Sequence, residues 1–349
     1  MADEEIMQRL RDLRMRFPDD EIPMLIMLQR QAVPQFRAEN TSNPDCGINS
    51  TVGLDILIRV VRHLLSHLSD DHSNPCEGEE PNPLLRLAWA DLDDDGCHAS
   101  HDARLVILRA FAPGVPLREQ NFTFAELSEH PMMHKSLLMR RPFVLFDPHP
   151  LTKGVNEEIW IRDTVTDLPG LARQSLVTWN SAQGTLNDAI RARFGIMTVN
   201  ETSREYMWEC STPGIIRVRY NATGQKYEDF RNFRLAIDRL VPNKEEDSLV
   251  LQRKEVAYTL IACVRLRKGT QSEFLRLWSR HGIPIPLEDS PARNDKTLLG
   301  GNGQSYMLYF VQALPYNYNA PSAPAPAVDA REKVDAVINK IAREDQSDW

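Results

Sequence analysis

The chain has 349 residues, 42% hydrophobic and 26% charged, a balance that excludes a disordered tail protein or a fibrous repeat. At roughly 100–200 residues per domain, it fits one large domain or two ordinary ones. Its 41 Lys and Arg stand against 49 Asp and Glu, a net charge of −8, which disfavours a dedicated nucleic-acid binder with a basic face. The longest apolar stretch, Val52 to Leu68, is broken by Asp55, Arg59, Arg62, His63 and His67, so no segment supplies the ~20 apolar residues of a membrane span.

The opening residues Met1-Ala2-Asp3-Glu4-Glu5 are acidic and lack the basic and apolar regions of a secretory signal. The expectation is an intracellular protein, cytoplasmic or nuclear. Cys46, Cys76, Cys97, Cys210 and Cys263 are odd in number, far apart and without a CxxC pair. They read as reduced thiols, with neither a disulfide framework nor a zinc ribbon. The glycosylation sequons at Asn40, Asn49, Asn121, Asn200 and Asn221 matter only in a secreted chain and are read as chance.

Two helical patterns open the chain, Glu5 to Met15 and Ile22 to Val33, separated by Phe17-Pro18-Asp19-Asp20, so that residues 1–40 form a helical lead-in. From Asn49 to Leu68 the apolar residues Val52, Ile56, Val60 and Leu64, with Leu57, Val61 and Leu68, recur at helical spacing. They predict a helix apolar on one face, with Asn49, Ser50 and Thr51 as cap candidates. Asp70 to Pro83 reads as an exposed loop, and Leu84 to Ala90 and Ala103 to Phe111 as short helices around an acidic turn. Beyond residue 140 the texture changes to short β-favouring runs: Phe143 to Phe146, Glu158 to Ile161, Gly214 to Tyr220, Tyr258 to Leu266 and Tyr306 to Val311. One helix, Thr185 to Phe194, interrupts them. Residues 314–327 form an Ala/Pro-rich linker and residues 328–349 a C-terminal amphipathic helix built on Val334, Val337, Ile338 and Ile341.

Asn43-Pro44-Asp45-Cys46-Gly47-Ile48-Asn49-Ser50 leads directly into the strongest helix. A thiol at a helix N-terminus meets unsatisfied N–H groups and the positive end of the dipole, which favours thiolate. On position alone, a small thiol that only packs is the preferred reading. Asp91-Leu92-Asp93-Asp94-Asp95-Gly96, with Asp102 in twelfth place, follows the oxygen-ligand spacing of an EF-hand calcium loop. His98 at the eighth place and the short Asp102 at the twelfth depart from it, and a solvated acidic turn is the preferred reading. Cys97, His98 and His101, with Cys76, match no structural zinc spacing. His63 and His67 share a helix face, and His130, His134 and His149 lie in a polar stretch; all have surface or core readings.

Cys46-Gly47-Ile48-Asn49-Ser50 resembles the Cys-x-x-Asn-Ser box that opens the first helix of the ubiquitin-specific protease family, the papain-like deubiquitinases. Further segments resemble that family in its own order. Thr185 to Ile190 looks like the helix before the fingers. Pro213 to Tyr220 is similar to the palm signature, followed by Phe233 to Ile237. Tyr258 to Val264 resembles the strand leading into the histidine box, and Ser305 to Val311 the closing strand. The resemblance spans residues 41–313 and implies an α+β, papain-like cysteine protease fold with a helical N-terminal half packed on an antiparallel sheet.

The departures bear on activity. Where the family has Gly-His-Tyr, this chain has Ser272-Glu273-Phe274, so the general-base histidine is missing. A carboxylate beside the thiol opposes thiolate formation. His281 lies eight residues further on, and a loop excursion is needed to bring it to Cys46. Asn294 and Asp295 stand where the family's third catalytic member orients the histidine. Asp45 replaces the family's Thr and Gly47 its aromatic residue. Thr41 occupies the usual oxyanion-hole Asn position, leaving Asn40 or Asn43 to substitute by shifting the loop. His101-Asp102-Ala103 stands for Gln-Asp-Ala, and the missing CxxC pairs leave the fingers absent or metal-free. The resemblance thus implies a domain with lost or weakened hydrolase activity that binds ubiquitin or a ubiquitin-like protein, with no metal or other cofactor, no nucleic acid and no membrane. Two alternatives stay open: an active thiol-dependent deubiquitinase using Cys46, His281 and Asn294 or Asp295, and an interaction scaffold unrelated to ubiquitin whose C-terminal helix docks a protein partner.

Overall fold

Runs of β-branched and aromatic residues at period two, with one side chain up and the next down, set up the sheets. The computed structural model describes residues 2–8, 48–68, 82–90, 97–154, 160–199, 204–223, 231–243, 248–269, 273–280, 282, 284–285 and 303–313. Its helices are α1 (Ala2–Gln8), α2 (Ile48–Ser66), α3 (Pro83–Ala88), α4 (Cys97–Phe111), α5 (Phe124–Ser128), α6 (Pro131–Lys135), α7 (Leu168–Gln174) and α8 (Leu186–Arg191). Its strands are β1 (Leu151–Gly154), β2 (Ile161–Arg162), β3 (Leu176–Asn180), β4 (Gly195–Val199), β5 (Arg204–Trp208) and β6 (Ile215–Asn221). They continue with β7 (Asn232–Asn243), β8 (Ser248–Arg265), β9 (Phe274–Trp278), β10 (Pro284–Ile285) and β11 (Ser305–Gln312). The class is α+β.

Among the described residues, a seven-stranded sheet runs in the order β10-β9-β8-β11-β6-β3 with β7 paired to β8, and a four-stranded sheet runs β2-β1-β5-β4. The expected strands at Ile215 to Val218, Leu260 to Val264 and Met307 to Phe310 therefore share one sheet. Their register is fixed by Met307 opposite Val264 and Arg219, and Leu308 opposite Cys263 and Val218. The sheet is not wholly antiparallel as expected, because β3 pairs with β6 in parallel, the chain between them passing through α8, β4 and β5.

Each face of this sheet carries its own core. Met307, Tyr309 and Val311 of β11 join the cluster under α2, α3 and α4, whereas Tyr306, Leu308 and Phe310 join the cluster under α7 and α8. Burying such side chains contributes about 1.5–3 kcal/mol each, and the alternation explains why one register satisfies both faces.

Several expectations need correction. Helix α2 starts at Ile48, so Asn49, Ser50 and Thr51 lie inside it and do not cap it. It is enclosed on nearly every side rather than apolar on one face: from Gly53 to His67 only Arg59 is less than buried. Its buried polar residues are partnered, with Asp55 3.1 Å from Arg104 and Arg62 donating to the carbonyls of Leu87 and Ala90. Phe143 to Phe146 is no strand. Pro142 lacks a donor and sits in a 3-10 turn, and only Phe146 forms an isolated bridge, to Cys210. Helix α4 begins at Cys97, six residues earlier than expected, and α5, α6 and α7 have no counterpart among the expected helices. Strand β8 begins at Ser248, ten residues before the expected start, because it forms a ribbon with β7 beyond the sheet. The second lead-in helix, the linker and the C-terminal helix lie outside the described residues.

Candidate functional site

The segments that resemble the protease family include neighbouring strands of the seven-stranded sheet, β8, β11 and β6, with β7 paired to β8. Helix α2, which follows the Cys46 box in sequence, packs against β8 and β9. His63 pins it there. Its Nε2 lies 3.1 Å from the carbonyl of Ile261 on β8 and 3.0 Å from that of Trp278 on β9. Both partners only accept, so the ring is the Nε2–H tautomer and donates to both. Burial pushes the imidazole down to about 4, against the pull of the Trp278 and Ile261 carbonyls, so His63 is a neutral core residue and no proton carrier near neutrality. Its neighbour His67 meets it edge on, with ring centroids 4.6 Å apart, and Arg280 donates to the His67 carbonyl.

Glu273 stands immediately before β9 and is buried. The backbone N–H of Phe124, the first residue of α5, lies 2.8 Å from Oε1 and 3.0 Å from Oε2. Burial pushes this carboxyl up to about 7, opposed by the Phe124 N–H and by the charge and backbone of Arg267, while Glu126 adds to the rise. The same N–H lies against Gly53 of α2, where a Cβ would stand only 2.8 Å from the Phe124 nitrogen and 3.0 Å from the Thr123 carbonyl carbon. Glu273 is therefore occupied with the backbone of another helix.

A second buried polar group bridges α5, α6, α7 and β6. Arg217 donates to Glu129 Oε1 at 2.7 Å and to the Ala172 carbonyl at 2.6 Å. His134 Nε2 lies 3.4 Å from Glu129 Oε2. Burial, reinforced by the charges of Arg217 and Arg173, holds His134 down at about 4, so this is a polar contact and not an ion pair at neutral pH. Burial raises the Glu129 carboxyl, against the pull of Arg217 and Arg219. Tyr309 is buried beside this group, and desolvation raises its phenol.

Of the residues expected to carry chemistry, Cys46, His281, Asn294, Asp295, Asn40 and Asn43 all lie outside the described residues. The acidic turn at 91–96 does as well, together with Cys76; Cys97, His98, His101 and Asp102 belong to helix α4. The described thiols Cys210 and Cys263 are buried, and desolvation pushes the Cys263 thiol up, which leaves it a packing residue. No group of three or more His, Cys, Asp or Glu placed to hold a metal ion occurs among the described residues, and none of the described helices is long and apolar enough to cross a membrane. Sequence reasoning missed Glu129, Arg217 and the partner of Glu273. Only the Arg217 and Arg219 positions, charged residues on an otherwise apolar strand, carried a signal of a buried pair.

No protein-family model matches the chain, and no curated protein matches it. Among solved structures it is similar to the SAGA Ubp8/Sgf11/Sus1/Sgf73 DUB module bound to ubiquitin aldehyde, at 12% identity and a TM-score of 0.44, over 77% of this chain and 69% of that one. A variant form of the SAGA Ubp8/Sgf11/Sus1/Sgf73 DUB module matches at 11% identity and a TM-score of 0.42, over 80% of this chain and 70% of that one.

Proposed function

We propose that this chain is a divergent ubiquitin-specific-protease-like domain with lost or severely weakened hydrolase activity, acting by binding ubiquitin or a ubiquitin-like protein. The observation that supports the reading most is the adjacency of its family-like segments. The strands from the histidine box, the segment leading into it, the closing segment and the palm signature lie side by side as β9-β8-β11-β6, with α2 packed across the first two. Segments that resemble one family in order along the chain are thus neighbours in space as well.

Weakened activity follows from Glu273. A cysteine hydrolase needs a base to take the thiol proton and later protonate the leaving group. The side chain at the histidine place is a carboxylate that accepts a backbone N–H 149 residues away, and loss of a general base costs on the order of 10²–10⁴-fold.

The experiment is calorimetric titration with ubiquitin, beside labelling by an electrophilic ubiquitin C-terminal probe, on wild-type protein and the Cys46→Ala and His281→Ala variants. Ubiquitin binding without labelling is the expected result. Rapid labelling abolished by both substitutions would overturn the inactive reading in favour of a Cys46–His281 hydrolase. Absence of both binding and labelling would remove ubiquitin as the partner and leave an interaction scaffold.

A further inference from the structure

Strand β7 runs twelve residues, Asn232–Asn243, and pairs with β8 in unbroken antiparallel register along its whole length. No strand pairs its other edge among the described residues. Helix α8 packs against β7 and shares a core with Leu235 and Ile237, so it lies on one face of the strand. Asn232 and Arg234 are exposed on the other, beside half-buried Ala236. The direction of the backbone groups follows from two hydrogen bonds. The Leu260 N–H donates to the Arg231 carbonyl at 2.8 Å, whereas the carbonyl of Ala257, opposite Arg234, accepts from the Ala313 N–H at 2.9 Å, away from β7. In an antiparallel pair such groups alternate residue by residue. Phe233, Leu235 and Ile237 therefore turn theirs toward β8, and Asn232, Arg234, Ala236, Asp238 and Leu240 turn theirs outward. Pro242, which has no N–H, falls in the outward series, where it costs the β8 ladder nothing.

We infer that the outer edge of β7 pairs with β7 of a second copy of this chain, antiparallel and two-fold symmetric about Ala236. A long edge strand is a template for a further strand unless a bulge, a lysine or a proline blunts it. β7 carries no bulge against β8, no lysine and, before Pro242, no proline. The outward groups and the charges together select the register. A two-fold pair sets outward residue against outward residue, so it centres on a single residue of β7. Centring on Arg234 or on Asp238 puts like charges face to face, and centring on Leu235 or Ile237 leaves the charges unmatched. Only centring on Ala236 sets Arg234 of each copy opposite Asp238 of the other, and it also sets Leu235 opposite Ile237, apolar against apolar. Opposite charges directly across two strands stabilise the pair, and like charges oppose it. Both members of the charge pair lie on β7 itself, which makes a second copy the complementary occupant. The inference goes beyond ubiquitin binding and does not rest on it.

Sedimentation velocity of the full chain over a concentration series tests the pairing. Wild-type protein is expected to sediment as a dimer at high concentration. Arg234→Asp and Asp238→Arg each place like charges across the pair at both symmetric positions, and each is expected to weaken self-association by about tenfold or more. An equimolar mixture of the two variants restores opposite charges and is expected to dimerise as strongly as wild type, as is the double variant Arg234→Asp/Asp238→Arg. Recovery in the mixture and in the double variant separates lost pairing from lost folding. Amide hydrogen exchange reads the register: the N–H groups of Arg234, Ala236 and Asp238 gain protection as concentration rises, while those of Phe233, Leu235 and Ile237, already turned to β8, do not change. A monomer at every concentration, single variants that dimerise like wild type, a mixture that stays monomeric, or outward amides that exchange at one rate throughout would overturn the inference.

Discussion

On one face of the seven-stranded sheet Trp179 stacks on Tyr220 with centroids 4.7 Å apart, and Phe233 stacks on Tyr258 at 5.4 Å and meets Phe310 edge on at 5.0 Å. On the other face His63, Arg217 and Glu273 reach from helix and strand to carbonyls, a carboxylate and an amide. Both faces bury apolar side chains; among the described residues the second holds a buried His63, an Arg217–Glu129 pair and Glu273, while the first has Arg193 donating to the Leu176 carbonyl. Dispersion and area hold the aromatic face at any pH. The α2 face holds only while buried titratable groups keep the protonation state the fold imposes. The α2 face is thus the one more sensitive to charge.

Breaking the ion pair under α5 is the harshest test of this contrast. Arg217→Met removes the guanidinium that serves Glu129 and the Ala172 carbonyl, and deleting one partner of a buried pair costs about 3–5 kcal/mol, read by urea unfolding. Acidification is the next largest. His63 is buried with its imidazole depressed from 6.5 to about 4, so the stability it contributes is complete above the unfolded value and is lost as pH falls through that window. At 1.36 kcal/mol per unit this is about 3 kcal/mol, and His63→Gln flattens the acid limb of the stability profile. Gly53→Ala forces a Cβ against the α5 backbone, an overpacking that costs about 1–3 kcal/mol by thermal unfolding. The smallest effect lies on the aromatic face: Tyr258→Phe deletes the hydroxyl donating to the Pro213 carbonyl at 2.9 Å, for about 1 kcal/mol and without dependence on pH between 5 and 8.

The strands and the long helix were legible in the sequence because Ile215 to Val218, Leu260 to Val264 and Met307 to Phe310 bear β-branched and aromatic side chains, and because Val52 to Leu68 repeats at helical spacing. Errors arose where local signals compete. Helix α7 carries Pro169 and Gly170, residues disfavoured inside a helix, but a proline in the first turn suits a helix start, and Asp167 caps the Gly170 N–H at 2.8 Å. The charged run Arg253-Lys254-Glu255 hid the outer half of β8, whose residues need only a cross-strand partner, as Glu255 has in Arg234 at 3.6 Å. At the candidate site the sequence located the anomaly, Glu273, but not its role. Its partner Phe124 is 149 residues away, and no pattern of period two or 3.6 reports a contact of that range.

The most direct measurement is the steady-state rate of cleavage of a fluorogenic ubiquitin C-terminal substrate by wild-type protein and by Cys46→Ala and Glu273→His variants. The account predicts a wild-type rate at or barely above that of Cys46→Ala. It also predicts that Glu273→His destabilises the fold without raising the rate, because position 273 faces the Phe124 amide. Wild-type turnover well above Cys46→Ala, or a Glu273→His protein that gains Cys46-dependent cleavage, would contradict it.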